Sequence, residues 1–71
     1  MQATYSKIIS GLLNISERQI SKTIDLLNEG ATIPFISRYR KEVTGELDEV
    51  AVGNIKQHYE KLQEQIGRAH V

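Results

Sequence analysis

Cysteine is absent from this 71-residue chain, proline and phenylalanine each occur once, and neither sign of charge is in excess. Without cysteine no disulfide can staple a core that is marginal at this length. The absence also fits a reducing compartment. Nine basic and nine acidic side chains cancel, so no overall field draws the chain to nucleic acid or anionic lipid. Any such contact has to come from a local patch. No apolar run approaches membrane-spanning length, and the opening Met-Gln-Ala-Thr lacks a basic region followed by a hydrophobic one. The expectation is a cytoplasmic protein with no membrane contact. Strand-like alternation, repeats and low-complexity tracts are missing too, which leaves an all-α class: one small domain or a piece of something larger.

What is present is organised around residues 30 to 50. Leu26-Leu-Asn-Glu-Gly30 reads as a helix that stops at a glycine, since Gly reaches the left-handed conformation without steric penalty. Thr32 then offers an N-cap hydroxyl, and Pro34 sits in the first turn, where a missing N–H costs nothing. A helix capped by Thr32 places Phe35, Ile36, Tyr39 and Val43 on one apolar face, with Arg38 and Lys41 opposite. Arg40 falls at the margin of that face, where its guanidinium needs an acceptor; Glu46, Asp48 and Glu49 are nearest in sequence. Gly45 closes the short helix, and Asp48 caps the next, with Glu49 in its first turn.

Earlier in the chain, Tyr5, Ile8, Ile9, Leu12 and Leu13 have the spacing of one helical stripe, with Thr4 as cap and Asn14 as terminator. Ser16 and Gln19 match a capping box, flanked by Ile15 and Ile20 at the staple positions. Ile20, Ile24 and Leu27 continue that apolar face, Thr23 and Leu26 lie beside it, and Arg18, Lys22 and Asp25 face outward. From Asp48 onward, Val52, Ile55, Tyr59, Leu62 and Ile66 recur three and four apart, the narrow seam of coiled-coil packing. The expected architecture is a small bundle of three short helices and one longer C-terminal helix, helix-turn-helix-like across residues 16 to 43.

Catalytic chemistry is hard to find. Two histidines without cysteine do not make a metal site, and His58, in a charged run, is expected on a solvated helix face. Asp48 and Glu49 are adjacent carboxylates, but capping accounts for them and no base or nucleophile is spaced to use them. Gly30 and Gly45 follow helices and belong to no phosphate-binding fingerprint, and no serine has a G-x-S-x-G context. The expectation is no enzyme, no metal and no cofactor. The segment from Ser16 to Val43 does outline a helix-turn-helix whose second helix carries Arg38, Arg40 and Lys41, side chains able to touch phosphates. Against this, two helices joined by a glycine turn also build any helical bundle, Glu42 is placed to pair with Arg38, and no Asn or Gln on that helix can read adenine.

The run from Thr23 to Glu49, centred on Ile33-Pro-Phe-Ile-Ser-Arg-Tyr-Arg-Lys-Glu42, strongly resembles the N-terminal domain of the bacterial Tex family of transcription accessory proteins. The likeness extends from about Ile9 to about Gln65. It implies a parent of several hundred residues in which this segment precedes an RNase-H-like YqgF domain, helix-hairpin-helix elements and an S1 RNA-binding domain. It further implies a cytosolic, nucleic-acid-binding protein linked to transcription and RNA metabolism, with RNA bound mainly by the S1 domain. The present helices then serve as scaffold for the remainder of the parent chain. Arg38, Tyr39, Arg40 and Lys41 match the family motif, without forming an active site. A structural role is expected for Gly30, Thr32, Pro34, Phe35, Arg40, Gly45 and Asp48, with Arg40 pairing to acids after Gly45 to lock the turn.

The resemblance departs at Gly67. Ile66-Gly-Arg-Ala-His-Val71 back-translates, with a following stop codon, to ATC GGA AGA GCA CAC GTC TGA, which looks like a common sequencing-adapter read. Residues 1–65 are therefore expected to be a partial Tex-like domain and residues 66–71 a non-native tail, which leaves Arg68 and His70 without a role. Three functional expectations follow. The first is an N-terminal scaffold and interaction module of a Tex-like protein, with RNA bound elsewhere and transcription machinery as a further partner. The second is direct contact with a nucleic-acid backbone through Arg38, Arg40 and Lys41. The third is an adaptor that docks a protein along the Val52–Leu62 seam.

Overall fold

The computed structural model describes the backbone of residues 2–67 and the side chains of residues 5–64. Five helices occur there and no strand: α1 (Gln2–Leu13), α2 (Glu17–Asn28), α3 (Ile33–Tyr39), α4 (Lys41–Thr44) and α5 (Glu49–Gly67). The all-α reading holds, with one helix more than expected. Residues 68–71, most of the expected non-native tail, lie outside the described residues.

Local signals set most boundaries. Asn14, at φ 58°, ends α1 in the left-handed region that Asn tolerates better than most residues. Ser16 Oγ accepts the Gln19 N–H at 3.2 Å and so caps α2. At the far end of α2, the Gly30 N–H bonds the Leu27 carbonyl and the Ala31 N–H bonds that of Leu26, with Gly30 at φ 96°. This is the Schellman arrangement, which satisfies two otherwise orphaned carbonyls. Thr32 Oγ1 accepts from the Phe35 N–H at 3.3 Å, and Asp48 Oδ1 from the Ala51 N–H at 2.8 Å. Thr4, in contrast, lies inside α1, which begins at Gln2.

The core joins Ile9, Ile20, Ile24, Leu26, Ile36, Leu47, Val52, Ile55 and Tyr59. The longest helix, α5, packs against α1, α2 and α3. Its Val52–Ile55–Tyr59 seam is therefore interior, and Leu62 is half-buried. Ile66 lies outside the described side chains. The adaptor expectation is corrected here: the seam is already covered by the chain's own helices and offers no free docking edge. Tyr59 is anchored at both ends. Its hydroxyl donates to Asn28 Oδ1 at 3.3 Å, and its ring meets Tyr5 edge-on, with centroids 5.4 Å apart.

On α1 the inward face is narrower than the five-residue stripe suggests. Ile9 is fully buried and Tyr5 and Leu13 partly so, while Ser6 is buried and Ile8 and Leu12 are exposed. An outer helix resting on α2 and α5 has room inside for only part of so broad a stripe.

The main departure is at Arg40. The expected single helix from Thr32 to Gly45 breaks there, at φ −127° and ψ 28°, into α3 and the one-turn α4. The break lets α3 lie on α5 while α4 turns onto α2, which one straight rod could not do. No glycine or proline marks the position. The inward face changes as a result: Ile36 and Ser37 are buried and Ile33 partly so, whereas Phe35, Tyr39 and Val43 are exposed. The Ser37 hydroxyl contacts the Ile33 and Pro34 carbonyls at 3.0 and 3.2 Å, which satisfies a buried polar group within its own turn.

The turn into α5 is held from a distance. Gln19 Nε2 donates to the carbonyls of Thr44 and Gly45, each at 3.1 Å, while Gln19 Oε1 accepts from the Ser16 hydroxyl at 3.0 Å. The capping-box residue thus ties the start of α2 to the end of α4. Gly45 sits at φ 75°, and a Cβ there would lie 2.6 Å from Gln19 Nε2, so conformation and space both favour glycine. Glu46 follows at φ 70°, a left-handed position with no Gly to relieve it.

Two stability outcomes follow. Gln19→Glu keeps an acceptor for Ser16 but removes both long-range donors and sets a carboxylate against two carbonyls. It should lower stability by about 1–3 kcal/mol, measured from urea midpoints. Unchanged stability would mean that the local cap is all that Gln19 supplies. Glu46→Gly should raise stability by about 0.5–1 kcal/mol by relieving the left-handed position, and a lower urea midpoint would refute that assignment.

Candidate interaction site at the corner of α2 and α3

The Schellman turn at Gly30 and the cap at Thr32 bring the end of α2 against the start of α3. Between them lies an open cleft of about 400 Å³, lined by Leu26, Glu29, Gly30, Ala31, Thr32, Phe35 and Arg40. Its walls are mostly apolar side chains and turn backbone, with one acid and one guanidinium.

Arg40 is the distinctive group. Its Cζ lies 5.0 Å from the Phe35 ring centroid, within cation–π range, and Nη1 donates to the Tyr39 carbonyl at 3.1 Å. Phe35 in turn meets Tyr39, centroids 5.4 Å apart and tilted by 44°. Arg40 itself is half-buried. The ion pair expected with Glu46, Asp48 or Glu49 does not form. An ion pair does form between Lys56 and Glu60, an exposed i,i+4 pair on α5. The geometric reason is that Asp48 Oδ1 is taken up in capping α5, while Gly45 and Glu46, both left-handed, redirect the chain. Nor does Glu42 pair with Arg38, because the break at Arg40 removes the continuous helical spacing between them.

The expected structural residues divide between two places. Gly30, Thr32, Phe35 and Arg40 meet at the cleft, with Pro34 exposed in the first turn of α3. Gly45 and Asp48 belong to the separate turn before α5. The three cations proposed for nucleic acid do not form one surface of a single helix. Arg38 is on α3, Arg40 is at the break, and Lys41 opens α4; Arg38 and Lys41 are exposed. A seven-residue α3 ending before Arg40 gives no support to a helix-turn-helix reader. Sequence reasoning missed the parts that Leu26, Glu29 and Ala31 play in the cleft. The glycine stop beside them was the available signal, since a Schellman turn brings the residue after the glycine toward the third-last helical residue.

His58 is half-buried on α5 rather than solvated, and among the described residues no group of three His, Cys, Asp or Glu side chains could hold a metal ion. No helix among the described residues is long and apolar enough to cross a membrane.

Similarity to known proteins is concentrated in one family. The model of the Tex-like protein N-terminal domain matches residues 3–71. Protein YhgF of Escherichia coli is 39% identical over 64 residues, which covers 90% of this chain and 8% of that protein. The transcriptional accessory protein Tex of Neisseria gonorrhoeae is 42% identical over 59 residues, 83% of this chain and 8% of that protein. The human S1 RNA-binding domain-containing protein 1 is 34% identical over 64 residues, 90% of this chain and 6% of that protein. The chain thus spans less than a tenth of the length of these relatives. No solved structure matches. A family match over residues 3–71, nearly the whole chain, makes this polypeptide a member of the Tex-like N-terminal domain family.

Proposed function

We propose that this chain is the non-catalytic N-terminal scaffold of a cytoplasmic transcription accessory protein whose RNA binding is carried by other parts of a longer polypeptide. Its partners are then the remainder of that polypeptide and, through it, RNA and the transcription machinery. The names of the relatives support the setting, one being a transcriptional accessory protein and another an S1 RNA-binding domain-containing protein. The observation that carries the scaffold reading is the state of Arg40. The central cation of the trio is half-buried, stacked on Phe35 and bonded to a backbone carbonyl, so it serves the corner of the fold rather than a phosphate. A balanced net charge adds no general attraction for a polyanion.

The test is fluorescence anisotropy of the 71-residue chain with short single-stranded RNA and duplex DNA across a salt series. The expected result is no binding even at about 50 mM salt, where phosphate contacts are strongest, whereas a full-length family member carrying this chain binds RNA. Salt-sensitive binding by the short chain, weakened by Arg38→Ala or Lys41→Ala with a slope reduced by about one per residue, would overturn the scaffold reading in favour of direct backbone contact.

A further inference from the structure

We draw no further inference here: the strongest candidate, the outward face of α1 on which Ile8 and Leu12 stand exposed one helical turn apart, is an apolar patch for which nothing in the structure shows what covers it.

Discussion

One carboxamide, that of Gln19, decides how the two halves of this module meet. It sits in the first turn of α2, accepts from the hydroxyl that caps the helix, and donates to the last carbonyls of α4, twenty-five and twenty-six residues away. The Thr44 carbonyl needs a partner most: a four-residue helix has no ladder to satisfy it, and Thr44 is fully buried, whereas Gly45 is exposed. With the turn held, Thr44 Oγ1 can receive the Leu47 N–H, Leu47 enters the core, and Asp48 is placed to start α5. The hydrophobic contacts supply most of the stabilisation, but they are not directional. A polar clasp between segments distant in sequence selects one arrangement of them.

The core is then drawn from every helix except the one-turn α4, and the turn after α4 contributes Leu47. A domain this small has a large surface for its volume, so each fully buried isoleucine is a large share of its interior. The same geometry leaves apolar side chains outside on α1, at the start of α5 and along α3. Single exposed apolar residues are ordinary. The pair Phe35 and Tyr39 is different, because it adjoins a cleft and a guanidinium with no carboxylate within ion-pair distance.

Caps and stops were legible in the sequence because each is a local event with a residue-specific cause. Ser16, Gly30, Thr32, Gly45 and Asp48 all act where the residue pattern places them, and the α5 seam faces the core as its spacing implies. What was not legible depends on tertiary packing. The break at Arg40 has no local breaker and arises where α3 and α4 rest on different helices. Over seven residues a helix makes fewer than two turns, so an apolar stripe does not determine which of two adjacent faces turns inward. Phe35 and Tyr39 went outward and Ile33 and Ser37 inward for that reason. Gln19 was recognised as half of a capping box, yet nothing local says that its amide reaches across to another helix. Family membership was legible through the residues around Pro34, and those residues build the corner between α2 and α3.

Arg40 shows why a missing salt bridge is informative at this corner. A guanidinium stays charged at any ordinary pH and cannot escape a poor setting by losing its proton. Half-buried with no anion, it loses hydration, and the Phe35 ring and one carbonyl return only part of that stabilisation. Pairing with Glu46, Asp48 or Glu49 would be the simplest relief, but Asp48 is committed to its cap and the left-handed turn at Gly45 and Glu46 redirects the chain. The turn geometry that launches α5 therefore leaves the cation without a carboxylate partner, held at the corner by a ring and a carbonyl alone.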